Sequence, residues 1–411
     1  MPGFIAIVYL SCMFIAMYFF FFYIILIVRN GHRMFDYPTA KRKYGVSVLI
    51  AGYNEEETIG ATIEHVLAST YPLREVIAIN DGSTDRTADV VREMQREYKK
   101  LKLLDKKKNS GKADSLNQGI KMAKGELIAI VDADSYPEPE SIGKIVGFFD
   151  DKQVGAVTSA VFIRNKVNFL TKLQSIEYIV LAWTRKLLGF IDAVWCTNGP
   201  LSIYRKKGLE EVGGFDTKTV TEDIELTWHL LSRGYKAQMC LSAFVTTTAP
   251  TTLKAWWRQR ERWGIGGLQA IYKYRKTFLK KGMLGFFVIP FVSFSILLSI
   301  GVFLFGVYIV SRKFIITYLS TKYSYLANTY IFSLQDINLH PSILIFFTVV
   351  IFTVSFTYSR YVLKVLGKEK GEWDDVKKLF NRLFYLLVYL ALYPLVWFSA
   401  IYRITKRDYR W

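Results

Sequence analysis

The sequence predicts an α/β domain held among membrane-spanning helices, on three observations. Strand-like apolar runs alternate with helical patterns from Tyr44 to about Thr248, as in a sheet with crossover helices. Phe4 to Val28 is a 25-residue run without a formal charge, long enough to cross a hydrocarbon core with some tilt. Further apolar runs cover Met283 to Val310, Pro341 to about Val365, and Leu379 to Tyr402. The same shifts divide the chain into an anchor with a basic flank (1–43), an α/β domain with interfacial helices (44–280) and a C-terminal membrane region (281–411).

Composition agrees with a membrane protein. Of 411 residues, 51% are hydrophobic, 16% aromatic and only 22% charged. A formal charge of +19 raises the question of nucleic acid. The basic residues instead cluster beside apolar runs, at Arg29 to Lys43, Lys254 to Lys281 and Arg403 to Arg410. That placement suits anionic lipid headgroups, cytoplasmic retention of loops and acidic substrates, so a lipid bilayer and no nucleic acid is expected. Three cysteines without a Cys-x-x-Cys argue against a disulfide framework and a zinc site, and fit free thiols in a reducing compartment. No internal repeat or low-complexity segment is present.

Taken in order, Phe4 to Val28 lacks the basic start and small-residue cleavage site of a signal peptide, so a retained anchor is expected. Arg29, His32, Arg33, Lys41, Arg42 and Lys43 follow it, which by the positive-inside rule puts the α/β domain in the cytoplasm of a multi-pass plasma-membrane protein. Val46 to Ile50 reads as a strand, and Asn54 to Glu57 as a helix start with acids in its first turn. Glu75 to Ile79 is a second strand, closed by the turn Asn80 to Asp85, which carries Asp81; such an Asp also serves simply to cap a turn. Lys106 to Lys112 is a basic loop, and Asp114 to Met122 a helix.

Leu127 to Val131 is a β-branched-rich run, the pattern of a strand buried on both faces. It delivers Asp132 and Asp134, spaced i, i+2, at its carboxyl end, where ligands bind in open α/β sheets. Two acids so placed suit a hard divalent cation that shares oxygens with a diphosphate. Alone, the pair could equally be solvated acids in a turn. Three strand ends, after Ile50, Ile79 and Val131, are expected to gather Tyr53, Asp81, Lys112 and the acid pair on one edge.

The stretches Val46 to Glu56, Asn80 to Asp85, Gly111 to Asn117 and Asp132-Ala-Asp134 resemble the nucleotide-binding half of family 2 glycosyltransferases. The resemblance implies a GT-A type fold, a Rossmann-like mixed sheet, binding a nucleoside-diphosphate sugar through Mg²⁺ or Mn²⁺. It implies nucleotide-sugar contacts at Tyr53, Glu55, Asp81, Lys112 and Asp132, with Asp134 on the metal. Ala51 stands where the family usually has Pro, and Asn80 where a second Asp is common.

Further along, Val167 to Leu188 has helical spacing with a polar face, as either a surface helix of the core or an interfacial membrane helix. Asp223 opens an amphipathic helix behind Thr221, a position that suits a cap as well as a base facing the donor site. Gln259 to Trp263 follows Trp256 and Trp257. That run suits a juxtamembrane belt, or a site where Arg neutralises diphosphate and Trp stacks on a pyranose.

Thr221-Glu-Asp223 and Gln259-x-x-Arg-Trp263 are similar to the acceptor-side motifs of processive, membrane-embedded family 2 synthases of poly-N-acetylglucosamine, cellulose and hyaluronan. Asn198 to Arg205 is similar to the hyaluronan and chitin-oligomer branch. By this resemblance Asp223 is the general base, while Gly199, Glu222, Gln259, Arg260, Arg262 and Trp263 serve acceptor and diphosphate. The expected activity is processive, inverting transfer from a UDP-sugar, UDP-N-acetylglucosamine first, to a polysaccharide exported across the membrane, with room for an accessory subunit. The alternatives are transfer of one sugar to a polyprenyl phosphate or other lipid, and a silent scaffold.

Of the C-terminal segments, Ser311 to His340 is expected outside or interfacial, and Lys364 to Lys378 cytoplasmic. Three crossings after an inside start put the C-terminus outside, while Arg403, Lys406, Arg407 and Arg410 favour the inside. Both placements stand.

Overall fold

The computed structural model describes residues 4–280, 282–328, 343–369 and 378–407. After the first helix, α1 (Phe4–Asn30), the chain enters an eight-stranded mixed sheet of order β3-β2-β1-β4-β7-β6-β8-β5. Strand β1 (Val46–Gly52) is wholly apolar apart from Ser47 and is buried, because helices cover both faces. It pairs in parallel with β2 (Glu75–Asn80) on one side and with β4 (Leu127–Asp132) on the other. β3 (Leu101–Asp105) extends the parallel half beyond β2. These parallel pairings need crossovers, supplied by α2 (Ile59–Leu67), α3 (Thr87–Gln95) and α4 (Lys112–Met122).

Strand order reverses about β1, so the carboxyl ends of β1 and β4 open a crevice there. After the short β5 (Ser135–Pro137) and α5 (Ser141–Val146), β6 (Val154–Ile163) pairs with β7 (Ser202–Arg205) and in parallel with β8 (Lys236–Thr247). β7 runs antiparallel to β4 and joins the halves into one sheet.

Between β6 and β7 lies α6 (Phe169–Gly189), started by a capping box in which Asn168 Oδ1 accepts from Thr171 N at 2.9 Å. Its apolar face is packed on both the sheet and a membrane-region helix. Leu173, Ile176, Ile179, Trp183 and Leu187 are all buried, against β6 and β8 and against α11 (Ile343–Glu369) of the C-terminal region. α7 (Lys206–Val212) and α8 (Glu222–Ser232) follow, and Thr252 caps α9 (Leu253–Tyr274) by accepting from Ala255 N.

Three described helical stretches are long and apolar enough to cross a membrane: Ile7–Arg33, Leu284–Leu326 and Leu379–Lys406. The second begins with a π turn, Leu284–Val288, and continues without a break as α10 (Ile289–Leu326), with Pro290 directly after the π turn. Helix α10 extends past Val310 into the segment expected outside or interfacial. Nothing from Ser311 to Leu326 is Pro or Gly, so the helix runs on; the rest of that expected segment lies outside the described residues. The span expected from Pro341 begins outside them too, and is helical as α11 (Ile343–Glu369). Residues 370–377 of the charged segment are likewise outside them. The last stretch comprises α12 (Leu379–Phe384), a π turn (Tyr385–Tyr389), a 3₁₀ turn (Leu390–Leu392) and α13 (Tyr393–Lys406).

The helix expected at Asn54 starts later, at Ile59. Asn54 adopts a left-handed φ of 56°, and the neighbouring acids are committed elsewhere. Glu55 N donates to Thr87 Oγ1, and Glu56 Oε2 accepts from Arg86 N. A single apolar cluster joins sheet, α6 and membrane helices: Trp183, Trp228 and Trp256 pack with Leu284, Val362 and Tyr389.

Candidate active site

β4 ends by lifting Asp132 and Asp134 out of the sheet at the crevice beside β1. Asp132 meets the first residue of α4: Lys112 Nζ donates to its Oδ1 at 2.5 Å. The same ammonium lies 2.9 Å from Glu222 Oε1, at the start of α8. Lys112 therefore joins the acid pair to the second motif, and its own pKa is raised: burial disfavours the charge, but Asp132 and Glu222 outweigh that. Gly199, in the loop before β7, makes this approach feasible. A Cβ there would lie 2.5 and 2.7 Å from the Asp132 carboxylate oxygens and 2.9 Å from Lys112 Nζ.

Among the described residues Asp134 has no such cation. Its Oδ1 accepts from the hydroxyls of Ser135 and Thr247, at 3.2 and 3.4 Å. Burial, then the charges of Asp132 and Glu55, push its carboxyl up to about 6. A carboxylate held among like charges is a fitting ligand for a divalent cation, which would reverse that shift. Among the described residues no three Asp, Glu, His or Cys side chains converge as a metal cage. The donor set therefore fits an Mg²⁺- or Mn²⁺-type ion that takes one or two carboxylate oxygens from Asp134 and Asp132 and the rest from diphosphate and water.

Asp223 follows Glu222 in the first turn of α8. Its Oδ1 accepts from Ile224 N, a first-turn N–H of the helix, at 2.8 Å, and Cys196 Sγ stands 3.8 Å from Oδ2. Burial and the adjacent Glu222 charge push its carboxyl up to about 6. Glu222 goes the other way: burial would raise it, but the Lys112 and Arg262 charges hold it below its usual value. One member of the pair is thus kept ionised and the other is poised to exchange a proton near neutrality.

A cavity of about 560 Å³ contains these groups. Lys112, Asp132, Asp134, Gly199, Glu222 and Asp223 line it together with Gln259, Arg260, Arg262 and Trp263 of α9. Its far wall is Phe291, Val292 and Ile296 of α10 with Tyr393, Val396 and Trp397 of α13, so it runs from the sheet edge to the membrane helices.

Not every expected residue reaches it. Tyr53 is 46% exposed at the mouth of the crevice, and neither it, Glu55 nor Asp81 belongs to the lining. Asp81 is instead 3% exposed and holds the basic loop, accepting from Lys106 Nζ at 2.6 Å, Ser110 N at 3.0 Å and Gly111 N at 2.8 Å. Arg260 lines the cavity, but its charge is committed to Glu177. Arg262 has no carboxylate within ion-pair distance among the described residues and is the freer guanidinium. Sequence reasoning missed Arg185 of α6, which lines the cavity and donates to Asn198 Oδ1 at 2.8 Å, and the wall residues Tyr178 and Glu177. Their signal was present, since Glu177 and Arg185 are charges on the polar face of a helix otherwise packed in apolar surroundings.

Comparison with known proteins agrees with this geometry. Residues 43–266 match the model described as "Glycosyltransferase like family 2". Poly-beta-1,6-N-acetyl-D-glucosamine synthases are among the relatives. One from Staphylococcus epidermidis is 33% identical over 268 residues, 65% of this chain and 63% of its own length. Another, from S. epidermidis RP62A, is 31% identical over 303 residues, 73% of this chain and 71% of its own. One from Staphylococcus aureus N315 is 37% identical over 231 residues, 56% of each. The first of these alignments thus spans under two thirds of the relative's length. A solved structure, mannosyltransferase PcManGT from Pyrobaculum calidifontis in complex with GDP-Man and Mn²⁺, superposes with a TM-score of 0.61 at 17% identity, covering 98% of this chain and 99% of that one, a likeness of fold. The chain belongs to glycosyltransferase family 2 and has its GT-A type fold.

Proposed function

We propose that this glycosyltransferase is processive and inverting, and that it moves N-acetylglucosamine from UDP-N-acetylglucosamine to a growing β-linked polysaccharide. One observation carries the reading: the Asp223 carboxyl shares a cavity with the Asp132–Asp134 pair and with Trp263. The names of the staphylococcal relatives support the choice of sugar.

Asp223, ionised, takes the proton of the acceptor's terminal hydroxyl. That oxygen attacks the anomeric carbon, its bond to the diphosphate breaks, and UDP leaves from the opposite face, so the configuration inverts. A divalent ion at Asp134, Mg²⁺ or Mn²⁺ as with the Mn²⁺ of the mannosyltransferase, would supply neutralising charge for the departing diphosphate. Lys112 and Arg262 add fixed positive charge where the negative charge develops. Tyr53 and Glu55, at the edge of the crevice, hold the nucleotide end of the donor, and Asp81 serves it by holding the loop from Lys106 to Gly111 in place. Trp263 offers its face to the acceptor sugar, with Gln259 and Gly199 lining the same cavity. The basic flank from Arg29 to Lys43 supports a cytoplasmic catalytic domain, and the cavity's extension to α10 and α13 supports export of the product.

A second acceptor class is favoured by the apolar far wall, Phe291, Val292, Ile296 and Val396, which suits a polyprenyl phosphate or other lipid. One experiment separates the two. Purified protein is given Mn²⁺ and radiolabelled UDP-N-acetylglucosamine, and products are sized and digested with β-hexosaminidase. A long, digestible polymer supports processive synthesis. A single labelled lipid supports the second reading. Label taken only from UDP-glucose overturns the choice of sugar.

A further inference from the structure

The cavity wall holds a buried ion pair that the proposed reaction does not use. Glu177 on α6 is 3% exposed, and Arg260 on α9 is 1% exposed. Arg260 Nη2 donates to Glu177 Oε2, and Nε donates to Oε1 at 3.3 Å. Two tyrosines from the C-terminal membrane stretch donate to the same carboxylate: Tyr389 to Oε2 at 2.7 Å, and Tyr393 to Oε1. Trp256 Nε1 in turn donates to the Tyr389 hydroxyl at 2.6 Å. Stability alone does not account for such a pair, because well-packed apolar residues of similar volume often serve a fold as well or better.

The far side of the guanidinium offers another reason. Its central carbon stands 4.0 Å from the centroid of the Trp263 ring, within cation–π range, and Nη1 donates to Gln259 Oε1 at 2.5 Å. The Tyr178 ring, next to Glu177 in sequence, stands 6.4 Å from that of Trp263. Gln259 and Trp263 face the cavity, so the group that orients them is itself oriented by Glu177 and by two membrane-helix hydroxyls.

We propose that Glu177, acting through Arg260, is a positioning residue that sets Trp263 and Gln259 for the acceptor, and that Tyr389 and Tyr393 tie this setting to the C-terminal membrane helix. The inference rests on the acceptor role proposed above for Trp263.

The test uses the full chain carrying Glu177→Met with Arg260→Met, a change that removes both charges together. Three quantities are compared with wild type: UDP affinity, UDP release from UDP-N-acetylglucosamine without added acceptor, and KM for an added N-acetylglucosamine oligomer. UDP affinity and release are expected to stay within about twofold, while the oligomer KM rises about tenfold, the size of one lost desolvated cation–π contact, and products shorten. An unchanged oligomer KM overturns the proposal. So does a matching loss of UDP affinity in a variant that melts like wild type. Should the double variant not fold, Arg260→Lys keeps the ion pair and removes the planar face; it is expected to raise the same KM, and an unchanged value overturns the proposal. A wild-type protein that makes no polymer counts against the function and not against this device. Oligomer affinity by calorimetry is then the readout: weaker binding in the variants upholds the positioning role, while equal binding, or none by wild type, overturns it.

Discussion

Lys112 and Glu222 form an ion pair at 2.9 Å across the boundary between the two halves of the site, with Asp132 on the ammonium's other side at 2.5 Å. The donor half and the acceptor half therefore share one cation, placed a residue away from Asp223. Replacing Lys112 with Met removes a charge that lowers the Asp223 carboxyl and frees Glu222 to repel it. The acid limb of the pH–rate profile is expected to move upward by roughly half to one unit, with UDP affinity falling about tenfold. A pH profile with unmoved limb would show that Lys112 does not act on the base.

Asp223→Asn is expected to reduce transfer by about 10²- to 10⁴-fold, the usual worth of a general base, with UDP affinity nearly intact. Equal loss of both would sink its role as base. In the wild type, kcat/KM should rise with pH through about 6, because the reactive form is the ionised carboxylate. The stability effect has the opposite sign. The Asp223 carboxyl is raised above its unfolded value of about 4, so the folded state holds its proton more tightly. The stability that this lends is fully present below pH ~4 and is lost as pH rises through about 6. Calorimetric melting between those limits, compared for wild type and Asp223→Asn, checks the sign.

Chelation with EDTA should abolish transfer, and added Mn²⁺ or Mg²⁺ should restore it. Asp134→Ala is expected to leave residual UDP binding that no longer strengthens with the metal, as measured by titration with and without Mn²⁺. Metal-enhanced binding that survives the substitution would move the metal elsewhere.

Two glycines divide function from stability. Gly199→Ala drives a Cβ into the Asp132 carboxylate and the Lys112 ammonium, both flexible ends, so activity should fall by about tenfold or more while Tm shifts by only a few degrees. Gly266→Ala would put its Cβ 1.7 Å from Thr221 Oγ1 and 2.6 Å from Thr221 Cβ, where α8 begins against α9. Overpacking there should cost about 1–3 kcal/mol, seen as a lowered Tm.

The sequence made β1, β2 and β4 legible because Val46 to Ile50, Glu75 to Ile79 and Leu127 to Val131 are buried on both faces and have no polar alternation to confuse them, whereas the half-exposed β3 at the sheet edge went unread. Asp132, Lys112, Glu222 and Asp223 were legible as a group because their motifs stand at strand and helix ends, and the fold brings those ends to one cavity. The start of α2 was not, since Asn54 and the acids after it resemble a helix opening until Thr87 and Arg86, some thirty residues on, take their hydrogen bonds. Arg260 was read as a substrate contact because its partner is 83 residues away in the chain, on a different layer. A dense basic motif does not tell which of its charges is already spent.

The π turn at Leu284–Val288 also sets an angular phase. A residue of α-helix advances by about 100°, so a turn that takes in one extra residue rotates everything beyond it by about that angle. Phe291, Val292, Ser295 and Ile296 face the cavity with that extra residue counted in. Were a single residue lost from the turn, the same 38-residue rod would stand in the same place with a different stripe turned inward. The site's rear wall is thus written partly in the number of residues that precede it, and not only in their identity.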